Sequence, residues 1–323
     1  MMAVDRNDES GTGERPERAH IPVLLQETIK HIVGDRDPQT LEGWIIDGTL
    51  GAGGHARAIL EALPLVRLFG IDQDPDAIEL ARVELAEFGE RVVIVNTRIS
   101  NMCASAGAVG VESALAVLFD LGANSLHFDR SERGFSFSAD GPLDMRMDPS
   151  RRRTAAHILN HWDEADLADL FYFEGGEHRS RRIAAAIVVA RRRVPFLRTM
   201  ALADVVSQAV GGKSGKTHPA TKVFQALRRA VNEEGLQLER GLAIAEHVLV
   251  EGGRLVVLTF HSGEDGVVKR HLAQRARAGL WQVVTKKALG PSYQERRQNP
   301  RSRSARLRCA TRLKGAPSAG GQS

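Results

Sequence analysis

At 323 residues, with 42% hydrophobic and 26% charged residues, the chain has the size of one large or two ordinary soluble domains. Two cysteines, far apart and in no metal spacing, argue against a disulfide framework and fit a reducing cytoplasm, and the eleven histidines show no zinc-type pattern. Residues 1–19 lack the apolar core of a signal peptide, and no run is long enough to span a bilayer. The net charge is only +4, but the cations are grouped: Lys286 to Lys314 holds ten Lys or Arg against one acid, Glu295. A second basic group gathers Arg151, Arg152, Arg153, Arg179, Arg181, Arg182, Arg191, Arg192, Arg193 and Arg198. Clustered arginine suits a phosphate-rich partner.

Residues 1–19 and 315–323 read as tails without structure. The first element is an apolar strand over 43–48, followed by the run Asp47-Gly48-Thr49-Leu50-Gly51-Ala52-Gly53-Gly54 and a helix from His55 to Leu63. A strand, a glycine-rich turn and a helix make half of a nucleotide-type site, because glycine tolerates φ > 0 and lets a ligand approach the backbone. Gly51-x-Gly53-x-x-Ala56 fits the dinucleotide fingerprint. A second strand, 66–72, ends on Asp72, where an acid suits the hydroxyls of an adenosine ribose. Asp47 separates the candidate ligands. A carboxylate there repels a pyrophosphate but accepts from a cation, so the site favours S-adenosylmethionine (SAM) over NAD. The other reading of Asp47 is a turn or cap residue.

A helix over 75–88, with Pro75 in its first turn, and strands over 91–96 and 114–121 continue the alternation. This pattern implies a parallel sheet with helices on both faces. From 128 to 217 it stops: the chain is Arg-rich, with helical pieces over 154–173 and 179–193. Gly211-Gly212-Lys213-Ser214-Gly215-Lys216-Thr217 imitates a phosphate loop, but no glycine stands at the required position and no strand precedes it. A long helix over 220–250 and strands over 254–260, 282–286 and 305–313 then complete a seven-stranded mixed sheet. The expected organisation is a sheet domain of residues 20–127 and 218–314, with a helical substrate-binding domain, 128–217, inserted in it.

Several blocks in order carry a resemblance. They include His20-Ile21-Pro22-Val23-Leu24-Leu25, the 47–55 loop, Gly70-Ile71-Asp72-Gln73-Asp74-Pro75, Asp120-Leu121-Gly122 and Glu132-Arg133-Gly134-Phe135-Ser136-Phe137. Asp140-Gly141-Pro142-Leu143-Asp144-Met145-Arg146-Met147-Asp148, Phe260-His261-Ser262 and Asn299-Pro300-Arg301-Ser302-Arg303-Ser304 follow. From His20 to Arg312 the chain resembles the RsmH (MraW) family, bacterial methyltransferases acting on N4 of a cytidine in the decoding region of 16S rRNA. The resemblance implies an α/β fold of the class I SAM-dependent methyltransferase type (Rossmann-like) with an inserted helical domain. It also implies a cytoplasmic enzyme without a resident metal, acting on the small ribosomal subunit. It implies cofactor contacts at Gly53, Gly54, His55, Asp72 and Asp120. Two further contact positions depart from the family: Ile99 stands for a usual Phe and His127 for a usual Gln. Asn124 replaces a Ser, Gly175-Gly176-Glu177 departs from Tyr-Gly-Glu-Glu, and Gly263 replaces a Leu.

For the chemistry, Asp120 at the end of the fourth strand is the first candidate to face the reacting centre; the competing reading is that it only binds SAM. Asp144, in the 140–148 block, is expected to line the cytidine pocket, against a reading of the block as a salt-bridged corner. His261 points to the same edge, and Arg301 and Arg303 are expected on the rRNA backbone. Two other readings fit the same motifs: a SAM methyltransferase of another substrate, and a non-catalytic RNA-binding assembly factor. An intact cofactor loop counts against the second.

Overall fold

A computed structural model describes residues 22–122, 127–128, 130–212 and 218–315. His20, Ile21, Asn124, the loop residues 213–217 and most of both tails lie outside the described residues. In chain order the main elements are α1 (Leu25–Val33), β1 (Gly43–Asp47), α2 (Gly54–Ala62), β2 (Val66–Asp72), α3 (Pro75–Glu84), β3 (Val92–Asn96), α4 (Met102–Ala108) and β4 (Ala114–Asp120). Then come α5 (Ala155–His161), α6 (Glu164–Asp169), α7 (Ser180–Arg191), α8 (Thr199–Ala209), α9 (Ala220–Asn232), α10 (Glu234–Val248) and β5 (Leu249–Thr259). The chain closes with α11 (Ser262–Arg277), β6 (Trp281–Val283), α12 (Tyr293–Gln298) and β7 (Arg306–Arg312).

The seven strands form one sheet in the order β3-β2-β1-β4-β5-β7-β6. β1 to β5 are parallel and β7 runs antiparallel between β5 and β6. Period-two alternation divides the strand residues between two cores. Ile45, Leu68, Leu118, Val256 and Leu258 pack on the face covered by α1, α2 and α3. Ile46, Phe69, Val117, Phe119, Leu255 and Val257 pack on the face of α4, α10 and α11. Both faces are buried, so these strands read as near-continuous apolar runs. Among the described residues, no helix is long and apolar enough to cross a membrane.

A third cluster is built from residues between β4 and β5, among them Leu143, Ile158, Phe171, Ile187, Leu202, Phe224 and Val231. The helix expected over 220–250 is two helices. Glu233 adopts φ 55, ψ 38, a left-handed conformation that ends α9 and starts α10. Asn232 makes the break useful: its side-chain oxygen accepts from the Met147 amide at 2.8 Å, and its amide donates to the Met145 and Arg228 carbonyls. The sheet layer was expected to resume at 218, but Ala220, Val223, Phe224, Ala226, Leu227 and Val231 of α9 belong to the third cluster, and α10 is the first helix back on the sheet. The helix expected over 154–173 is also divided. Trp162 leaves the helical region at ψ 150, α6 restarts after Asp163, and a π turn spans Leu170–Glu174. α3 stops at Glu84, where Leu85 (φ −102, ψ 5) leaves the helical region, and Gly89, at φ 51, breaks the turn that follows.

Candidate active site

The glycine-rich loop, which leaves β1, is tied to the ends of β4 and β2. Gly48 donates to the Leu118 carbonyl of β4, Leu50 to the Ile71 carbonyl of β2, and Gly51 to Asp72 Oδ2, each at 2.9 Å. No side chain fits at Gly48, where a Cβ would stand 2.4 Å from the Phe119 ring. Gly53 (φ 90) turns the chain into α2, leaving that helix's first N–H groups without a side-chain cap.

Asp47 lies beneath this loop, 1% exposed. Its Oδ1 accepts from the Thr49 amide at 3.0 Å, as the turn reading expected. Burial pushes its pKa up to about 7, with His55 and the Thr49 amide acting the other way. The Thr49 hydroxyl lies 3.4 Å from Asp47 Oδ1 and accepts from the Asp120 amide at 2.6 Å, joining the ends of β1 and β4. The composition of the loop gave no signal of this link.

Asp120 has its two carboxylate oxygens in different settings. Oδ2 lies 3.3 Å from His55 Nδ1, while Oδ1 is buried without a hydrogen-bond partner. His55, buried at the start of α2, places Nε2 3.0 Å from the Val23 carbonyl. Both ring nitrogens therefore face acceptors, and the raised pKa of the imidazole agrees: Asp120 and Asp47 outweigh the burial that opposes its charge. Leu24, next to Val23, is left-handed (φ 51) and donates its amide to Glu295 at 2.7 Å. The N-terminal strap over His55 is thus pinned from the Arg-rich C-terminal segment.

Asp72 accepts from Gly51 through Oδ2 and from the Asp74 amide through Oδ1. Asp74 caps α3 through the Asp76 amide. His127 lies beside them, its Nε2 2.6 Å from Asp74 Oδ2, and stacks on Phe135 at 4.6 Å. Arg133 closes the same group on Asp74 and Asp76. An Asp followed by Pro was the readable sign of this cap. The arrival of His127 and Arg133 was not readable, because they come from beyond β4. Ile99 follows β3 in a short turn and packs on α10, where a Cβ on Gly241 would stand 2.5 Å from it.

Asp144 is placed apart from this group in its bonding. Both its oxygens are taken by Arg146, at 2.8 and 2.7 Å, and its carbonyl accepts from Ala155 at the start of α5. The 140–148 block is a salt-bridged corner that reaches the sheet edge through Met147, whose sulfur accepts from Gln73 at 3.1 Å. His261 caps α11, its Nδ1 accepting from Gly263 and Glu264. Among the described residues no group of three or more His, Cys, Asp or Glu could hold a metal.

The arrangement fits a cationic nucleoside cofactor. Asp72, Asp47 and Asp120 end three adjacent strands, the glycine loop opens the approach to them, and a buried carboxylate oxygen waits without a partner. Fold and site define a class I SAM-dependent methyltransferase. The model of the MraW methylase family matches residues 17–313, and the chain belongs to that family. The ribosomal RNA small subunit methyltransferase H of Beijerinckia indica is 44% identical, covering 96% of this chain and 90% of its own length. The protein of the same name from Caulobacter vibrioides is 45% identical, covering 91% of this chain and 95% of its own. The crystal structure of an rRNA methylase from Streptococcus thermophilus aligns with 92% of this chain and 100% of its own, at TM-score 0.42 and 11% identity.

Proposed function

We propose that this enzyme transfers a methyl group from SAM to the N4 amine of a cytidine in the decoding region of 16S rRNA, in the cytoplasm. The observation that carries the reading is the divided Asp120 carboxylate, one oxygen held by His55 and the other buried and unpaired at the end of β4. Bound SAM supplies an electrophilic methyl on a sulfonium. An exocyclic cytosine amine is a poor nucleophile, its lone pair delocalised into the ring. An acceptor at the amine favours the sp³ nitrogen and takes the proton released as the new N–C bond forms, and the partly exposed Asp120 carboxylate is that acceptor. The target base leaves its stack to reach it.

Gly53, Gly54 and the start of α2 receive the cofactor, Asp72 its ribose, and Ile99 one face of its adenine. His55 holds Asp120, and His127 acts through Asp74 on the end of β2. Asp144 orders the corner that carries Met147 toward the cofactor edge and does not itself react. The segment from 128 to 232, with its own apolar cluster, serves as the inserted substrate-binding domain. Arg301 and Arg303 contact the rRNA.

The test is methyl transfer from labelled SAM to 30S subunits lacking their own cytosine-N4 methylation, followed by nucleoside analysis. Label in N4-methylated cytidine is the expected result. Label in another nucleoside, or none while SAM binds, would overturn the reading.

Asp47 gives this reading a pH signature. Its folded pKa of about 7 lies above the ordinary 3.8, so the free protein holds an extra proton between the two values. Its contribution to stability is therefore greatest at low pH and is lost as pH rises toward 7. A bound cation favours the carboxylate. SAM affinity should therefore rise with pH by up to about tenfold per unit and level off above 7. Calorimetric titrations from pH 5.5 to 8 check this, and Asp47→Asn should flatten the profile. An unchanged slope in that variant would assign the titration to another group, such as His55.

A further inference from the structure

The carboxyl edge of the sheet changes sign along its strand order. On one side stand Asp72, Asp47 and Asp120, at the ends of β2, β1 and β4. Across β5 the edge turns basic. A cavity of about 670 Å³ opens there, between the residues that follow β5 and those that precede and begin β7. Arg296, Arg303, Arg306 and Arg308 line it, with Phe260 and Pro291 as apolar wall. One acid lies among them. Asp265 binds Arg308 through both oxygens, at 2.7 and 3.1 Å, and Arg306 at 3.0 Å. Of the nearby acids, Glu264 is engaged by His261 and the Phe260 amide, and Glu295 accepts from Leu24.

Four guanidiniums against one lining carboxylate leave the cavity cationic. Arg308 is buried and acts as the fixed floor, while Arg306 keeps about half its side chain exposed. Arg296 and Arg303 are exposed, and neither makes an ion pair among the described residues. Guanidinium forks in this number match the oxygens of a phosphate better than those of a lone carboxylate.

We propose that this cavity is a phosphodiester subsite, holding the RNA backbone next to the target nucleotide while its base reaches Asp120. The inference rests on the rRNA reading above and adds the register of the substrate. β4 and β7 both flank β5, so their ends lie two strand spacings apart, about 10 Å. That separation is comparable with the reach of one nucleotide from base edge to backbone. The acids on the cofactor side repel phosphate, so the backbone lies on the β7 side of the edge and the base on the β4 side.

The test compares the wild-type chain with Arg296→Gln/Arg303→Gln, and with Arg82→Gln on α3 as a control for general charge. Binding of a cytidine-containing single-stranded oligonucleotide is measured against salt, and methyl transfer to 30S subunits is measured separately. Losing two phosphate contacts should lower the log–log salt slope by about 1.4. It should also cut kcat/KM by about 10- to 100-fold, with SAM affinity and the melting temperature unchanged. A double variant that keeps the wild-type slope would overturn the subsite, as would an equal loss in Arg82→Gln. If the wild type binds with the expected slope, the double variant loses it and no cytidine is methylated, the subsite stands and the assigned reaction falls.

Discussion

Replacing Asp120 with Asn is expected to lower methyl transfer by about 10²- to 10⁴-fold while leaving the fold and SAM binding nearly intact. The size follows from the geometry. Asp120 is anchored through its amide to Thr49 and through Oδ2 to His55, so its carboxylate is held in place before substrate arrives. Asn keeps the shape and can still accept from His55, but it cannot take a proton from the amine. Single-turnover rates, SAM calorimetry and a thermal melt on the same preparation separate the outcomes. A variant with a normal rate would remove Asp120 from the chemistry. A variant with a normal rate constant but weak SAM binding would make it a cofactor ligand alone.

Asn232→Ala is expected to destabilise the protein by about 3 kcal/mol, because two backbone groups lose their partner inside the fold. Asn232 is 1% exposed, and its side chain serves the Met147 amide and the Met145 carbonyl at once. Met145 is itself left-handed (φ 62), a conformation unfavourable for a residue with a long side chain. Without Asn232 the Met145 carbonyl loses that partner, and only the Met145 amide remains bonded, to the Arg133 carbonyl. Urea denaturation measures the loss, and a change below about 0.5 kcal/mol would show that other bonds carry the corner. Activity should fall with stability, since the same corner carries Met147 to Gln73 at the end of β2.

The parts of this molecule legible in the sequence are those governed by local rules. Burial on both faces makes β1, β2, β4 and β5 apolar runs, and the loop 48–54 announces itself by glycine spacing. Asp74-Pro75 marks the start of α3 because a cap and a ring-fixed φ act over neighbouring residues. The break at Glu233 carried no such mark, since nothing in Asn-Glu-Glu-Gly requires a left-handed glutamate. It is held from outside by Arg98 and Arg151, which pair with Glu233 at 3.0 and 2.9 Å and pull its carboxyl down to about 2. The partners of Asp144 and His127 were hidden for the same reason. A motif names the residue but not its partner, and these side chains pair with Arg146 and Asp74.

The split of the sheet by the third cluster has a consequence for how the chain assembles. Phe119 pairs with Val257 and Asp120 with Leu258, so the central seam joins residues separated by the whole helical segment. The entropy lost in closing a loop grows only with the logarithm of its length, about 0.6 kcal/mol per doubling. A long intervening segment is therefore tolerable if it does not remain loose. Here it collapses on its own apolar residues, and Asn232 bonds to Met145 and Met147, so much of its length is already closed on itself. Once that cluster forms, the loop left to close between β4 and β5 is only the chain outside the link between Met145 and Asn232.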